Sequence, residues 1–300
     1  MTQLVSGQVS DPDDGMLRMS ILEHLEELRT RIIRALIGFG VCFLAAMAEA
    51  NPLWNFVKRP LKAAVDQVHG DIVAITPTEQ FSIIWVWTPL IASIFLAAPW
   101  VIYQVWAFIA PGLYPRERKW AVPFILSTAG LFLIGGLFAY FIALPSTLSL
   151  LLSIGAPDVK PTISIDAYFT TFVNVMLGLS VVFELPVAIF FLTLIRVASP
   201  SFLLRHSDYA ILAIVILASF ITLTQDAVNL AVLSVPMILL YFLGVFASFL
   251  LVMRWENRKF PWRMFGYWLL AVIAALLIAI LAAVAVFEYH FAARWPFLIK

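Results

Sequence analysis

Long apolar runs separated by short polar turns set the pattern of this chain. Seven runs, at about 32–50, 80–109, 121–144, 167–195, 209–224, 229–252 and 265–287, are long enough or nearly so to cross ~30 Å of hydrocarbon as helices. The second would extend ~45 Å as one helix, so it must tilt or bend, and Pro89 and Pro99 supply places for that. The fifth is the shortest. Before the first run, residues 17–34 alternate with helical period. Ser20 and Glu23 form a capping box. Ile21, Leu25, Leu28 and Ile32 share one face, and His24, Glu27, Arg31 and Arg34 share the opposite one. This predicts a helix lying on the membrane surface with a solvated polar face, on which Glu27 and Arg31 form an i,i+4 pair.

Composition agrees with lipid as the main solvent. The 300 residues are 63% hydrophobic and 12% charged, with mean hydropathy +0.98, against roughly half and a quarter for a soluble domain. A net charge of +1 argues against a nucleic-acid partner. The single cysteine, Cys42, excludes an internal disulfide and a multi-cysteine metal site. Residues 1–20 carry Asp11, Asp13 and Asp14 and no apolar core, so they do not read as a signal peptide; residues 1–16 read as a flexible tail.

The basic residues orient the spans. Alternate loops hold Arg18, Arg29, Arg31, Arg34, Arg116, Arg118, Lys119, Arg196, Arg205, Arg254, Arg258, Lys259 and Arg263, thirteen of the 19 Lys and Arg residues. The other loops hold only Lys58, Arg59, Lys62, Lys160, Arg294 and Lys300. The richer set is expected in the cytoplasm, which puts the N-terminus inside and, after seven spans, the C-terminus outside. Two outer loops, 51–79 and 145–166, carry Pro and Gly punctuation. In the first, Leu53, Trp54, Phe56, Val57 and Leu61 predict a short helix on the outer membrane face.

Few residues offer chemistry. No two histidines share metal-ligand spacing, no serine-protease context occurs, and no phosphate loop is present, so neither an enzyme nor a cofactor is expected. Glu184 lies inside the fourth run, ~18 Å along a helix from Arg196. A carboxylate at that depth points to a function, or else to a neutral acid that holds a neighbouring helix or the carbonyl freed by Pro186. Asp226, at the outer junction of the fifth and sixth runs, reads equally as an interfacial acid or an N-cap. Glu49 reads as interfacial. On the inner side, Glu27 and Glu117 each sit among Arg or Lys residues. Two such acids near one another would receive a pair of guanidiniums, which fit carboxylates bidentately as lysine does not; local charge balance is the alternative for each.

Four stretches together resemble the TatC family, the multispanning receptor subunit of the twin-arginine translocase. They are His24–Leu25–Glu26–Glu27–Leu28–Arg29–Thr30–Arg31; Tyr103 to Lys119, through Trp106–Ala107–Phe108–Ile109–Ala110–Pro111 and Arg116–Glu117–Arg118; Phe183–Glu184–Leu185–Pro186–Val187–Ala188–Ile189; and Pro60 within Arg59–Pro60–Leu61–Lys62. The resemblance implies an all-α polytopic membrane protein, a glove-shaped six-helix bundle over 17–256, to which residues 257–300 add a further transmembrane helix and a tail. It implies a multi-pass protein of a bacterial-type inner membrane that exports folded proteins with the proton-motive force. It also implies twin-arginine signal peptides, TatA- and TatB-like single-span subunits, membrane lipid and further copies of the chain as partners. By the motif match, Glu27 and Glu117 would contact the signal-peptide arginines, with Phe108, Arg29 and Arg118 shaping the same surface and Glu184 on the concave intramembrane face. Pro60 and Asp226 would belong to the outer side. The family's Pro-Pro-Asp-like turn reads Leu223–Thr224–Gln225–Asp226 here. A proton-coupled secondary transporter using Glu184 and Asp226 is the alternative, and the lack of an internal repeat weighs against it.

Overall fold

The computed structural model describes residues 21–109, 121–153, 161–222 and 227–256, with short pieces at 290–291 and 298–299. Among these residues five helical stretches are long and apolar enough to cross a membrane: Leu22–Ala48, Pro77–Ile109, Val122–Ser149, Ile165–Leu194 and Leu230–Trp255. A shorter apolar helix covers Ser207–Ile221. These correspond to the first six runs, including the short fifth. The seventh run, 265–287, lies outside the described residues.

The first helix, α1 (Ile21–Ala48), is continuous. The expected surface helix and the first span are therefore one element, because no proline interrupts the pattern where they meet. Its lipid-facing stripe is bare: Leu36, Ile37, Val41 and Leu44 are each more than 60% exposed. Two short helices follow, α2 (Ala50–Val57) and α3 (Arg59–Gln67), the second begun by Pro60, whose missing N–H costs nothing in a first turn. The expected helix of this region exists, and one side of it packs inward. Trp54, Val57, Pro60 and Leu61 are buried in the protein core with Tyr168, Val175 and Leu179.

The strand β1 (Asp71–Val73) and helix α4 (Pro77–Ser82) lead through a π-helical turn, Ile83–Trp87, into α5 (Thr88–Ile109). A second π turn, Ala139–Ala143, joins α6 (Ala121–Phe138) to α7 (Leu144–Ser153). Each π turn ends two residues before a proline, Pro89 or Pro145. A proline cannot donate to the carbonyl four residues back, and a widened turn absorbs that defect without ending the helix. Hence the expected outer loop 145–166 is helical to Ser153 and resumes as β2 (Thr162–Ser164), which pairs in parallel with β1.

The remaining helices are α8 (Ile165–Val182), α9 (Leu185–Leu194), α10 (Pro200–Arg205), α11 (Ser207–Thr222) and α12 (Ala227–Trp255). Small residues let these helices touch. A Cβ on Gly135 would lie 2.8 Å from the Ser180 backbone, and one on Gly244 would lie 2.7 Å from Pro186 Cα. Such close approach substitutes for the hydrophobic drive that lipid does not provide. Arg196 closes α9 in a left-handed conformation, φ 61°, and lays its guanidinium over Trp255 at 5.3 Å, tying the ends of α9 and α12 together.

Candidate functional site

The site lies where the first turns of α1 meet the last turns of α5. Trp106 anchors the end of α5: it is buried, with its ring 3.9 Å from that of Phe124 and 5.3 Å from that of Phe191. Two turns back, Trp100 packs against Gly38 of α1 and donates its indole N–H to the Arg34 carbonyl at 2.9 Å. These contacts fix α1 against α5 on the polar face of α1, which therefore is not the solvated face expected from its periodicity. His24 stacks on Phe108, with ring centres 4.4 Å apart and planes 15° from parallel. Arg31 reaches Gln104. Of the apolar face, Leu25 and Ile32 point outward and are exposed, and Leu28 is half-buried. In lipid an outward apolar face carries no penalty, whereas polar groups gain by finding one another.

At the centre Glu27 Oε1 accepts a charge-assisted hydrogen bond from Arg31 Nη2 at 3.2 Å, the expected i,i+4 pair. The other guanidinium arm, Nη1, donates to Gln104 Oε1 at 3.4 Å. Glu27 and Arg31 are 17% and 23% exposed, so the pair is partly withdrawn from water. Glu27 Oε2 is buried and accepts no hydrogen bond among the described residues. An ionised carboxylate offers about four acceptor sites, and a buried one left open is costly. The arrangement is suited to accept one more donor, planar and positively charged by preference. Among the described residues no group of three or more His, Cys, Asp or Glu is placed to hold a metal ion.

The sequence model of the family described as "Sec-independent protein translocase protein (TatC)" matches residues 23–236. The chain belongs to the TatC family. It is 42% identical over 252 residues to the TatC protein of Koribacter versatilis, covering 82% of this chain and 90% of that one. With TatC of Escherichia coli K12 it shares 32% over 243 residues, 80% of this chain and 92% of the other. It is also similar to a crystal structure of the twin-arginine translocase receptor TatC, at TM-score 0.64 and 29% identity, over 76% of this chain and 99% of that one.

Against this TatC fold, the residues singled out from sequence separate. Glu27 and Phe108 lie on the same α1–α5 surface, with His24 between them one turn before Glu27. Arg29 is exposed on α1. Glu117, Arg118 and Asp226 lie outside the described residues. Pro60 is buried in α3, beyond the other end of α1. Glu184 occupies a break: α8 ends at Val182, α9 starts at Leu185, and the Glu184 carbonyl accepts from the Val187 and Ala188 N–H groups at 3.0 and 2.9 Å. The fourth span is therefore two helices, because Pro186 cannot donate to the Val182 carbonyl. Glu184 Oε1 is buried without a hydrogen-bond partner, as are the hydroxyls of Thr128 on α6 and of Ser180 one turn earlier on α8.

Sequence reasoning missed Gln104, which is 2% exposed in an apolar helix. An amide one turn before Phe108, deep inside the apolar run 80–109, was the available signal.

Proposed function

We propose that this chain is the signal-peptide receptor of a twin-arginine translocase and performs no catalysis itself. Its substrates are folded proteins bearing an Arg-Arg signal peptide, and export across a bacterial-type inner membrane draws on the proton-motive force. Glu27 takes one peptide arginine and Glu117 the other, with Arg29, Phe108 and Arg118 shaping the surface around them. The observation that carries this reading is the buried, unpartnered Oε2 of Glu27 in a family of translocase receptors. A guanidinium can complete that carboxylate with directed hydrogen bonds, and an ammonium cannot reproduce the planar fit.

In this reading the α1 N-terminus faces the cytoplasm, the run 265–287 is a seventh span, and the C-terminus lies outside. TatA- and TatB-like single-span subunits and further copies of the chain join in the membrane. Glu184 serves those later steps from its intramembrane break, while Pro60 and Asp226 belong to the outer side. The test is site-specific photocrosslinking of a twin-arginine signal peptide to the full chain in membranes. Probes at Arg29 and Phe108 should capture the peptide and a probe at Phe81 should not. Equal capture at all three, or none at Arg29 and Phe108, would overturn the placement.

A further inference from the structure

We infer that Arg31 is an internal stand-in for the peptide guanidinium, and that Gln104 is a positioning residue that decides how much of Glu27 it occupies. This rests on the reading that Glu27 takes a peptide arginine. A guanidinium one helical turn from a carboxylate gains most by making two parallel bonds to both oxygens. Arg31 makes only one, Nη2 to Glu27 Oε1 at 3.2 Å. Its second arm is engaged at 3.4 Å by Gln104 Oε1, on the neighbouring helix. Glu27 Oε2 is consequently left buried and open.

Gln104 suits this task for two reasons. Its burial at 2% exposure holds the amide in place, since α5 is fixed to α1 by the Trp100 indole bond to the Arg34 carbonyl. Its neutrality draws on Arg31 by a dipole only, so Arg31 stays shared between the two helices. A carboxylate at the same place would capture Arg31 outright. An apolar residue would release it to chelate Glu27. An incoming guanidinium takes the open Oε2 and competes with Arg31 for Oε1, and the displaced Arg31 keeps Gln104 as a partner. An internal competitor lowers apparent affinity by the fraction of time it occupies the site. Gln104 therefore influences peptide binding only through Arg31, which is a thermodynamic coupling and testable as one.

The experiment is a titration of a synthetic peptide carrying an Arg-Arg pair against the full chain in lipid nanodiscs, as wild type, R31Q, Q104M, the double variant Q104M/R31Q, and E27Q. Met keeps the length of Gln without its acceptor. We expect Q104M to weaken binding about three- to tenfold and R31Q to tighten it by a similar factor. The double variant should equal R31Q alone, with thermal midpoints matching wild type. Weaker binding by R31Q, or a Q104M effect that persists unchanged in the R31Q background, would overturn the inference. If Q104M does not fold, R31Q still decides. If E27Q leaves affinity unchanged, the receptor reading itself fails. If E27Q weakens binding while R31Q does not strengthen it, only the stand-in role fails.

Discussion

Two carboxylates in this molecule, Glu79 and Glu27, sit in opposite circumstances. Glu79 belongs to a joint at the far end of the bundle. Its Oε1 accepts from Ser164 Oγ and from the Asp166 N–H, both at 3.2 Å, fastening α4 to the start of α8. Its own N–H is capped by Thr76 Oγ1 at 3.2 Å. The same end is stitched by Tyr168, whose hydroxyl donates to the Val57 carbonyl at 2.5 Å, and by Tyr140, which donates to the Phe56 carbonyl at 2.9 Å. Among the described residues Glu27 has one donor, itself shared with Gln104, and a buried oxygen left over. The difference is the one expected between a carboxylate that closes a fold and, in the proposed reading, one kept open for a ligand. The hydrogen bonds already made draw the distinction, and so does charge: Arg29 and Arg31 stand within one turn of Glu27, whereas no Lys or Arg lies between Lys62 and Arg116 around Glu79.

Three substitutions sharpen or break this comparison. Tyr168→Phe should act most strongly on stability. It leaves the Val57 carbonyl buried without its partner, at a cost of about 1–3 kcal/mol, read as a lower thermal midpoint of the full chain with peptide affinity unchanged. Glu79→Ala should follow at about 0.5–1.5 kcal/mol, because the joint is only half-buried. A loss of peptide affinity in either variant, at temperatures where the chain is folded, would show that the two ends are coupled and would remove the contrast. Glu184→Ala should have the smallest effect on peptide binding, none within error, while export in cells is impaired. This expectation follows from the proposed role of Glu184 and from its place at the α8–α9 break, one turn after Ser180, whose hydroxyl is likewise buried without a partner. Weakened peptide binding by a folded Glu184→Ala chain would place the residue in the receptor surface.

Hydropathy alone located the five membrane-length helices and the shorter apolar helix Ser207–Ile221 among the described residues, because a helix that crosses lipid must hide its backbone and advertise an apolar surface. It did not show what those surfaces face. The periodicity of 21–34 correctly separated His24, Glu27 and Arg31 from Leu25 and Ile32, but assigned water to the polar side, where α5 sits. The habit of turning apolar faces inward comes from aqueous solvent and lapses in lipid. The end of the molecule around Glu79 was also hidden, since β1 and β2 are three residues each and pair across roughly 90 positions of sequence. Local signals did better where a proline forced them. Pro186 announced a defect at Glu184, although the break it causes, and the bare Oε1 it leaves, needed the packing of α8 and α9 to be visible. Gln104 gave only an isolated amide, whose meaning depends on an arginine 73 residues away.

The central claim is that Glu27 is held open for a peptide guanidinium. The direct measurement is a binding titration of paired peptides, one with Arg-Arg and one with Lys-Lys, against the wild-type chain and its Glu27→Gln, Glu117→Gln and Glu79→Ala variants in nanodiscs. Charge-assisted hydrogen bonds contribute roughly 1.5–3 kcal/mol each, so Glu27→Gln and Glu117→Gln should each weaken the Arg-Arg peptide by about ten- to a hundredfold. The Lys-Lys peptide should bind wild type less well and lose less on either substitution, and Glu79→Ala should match wild type throughout. Unchanged Arg-Arg affinity in both Gln variants would contradict the account and leave Glu27 and Glu117 as local charge balance.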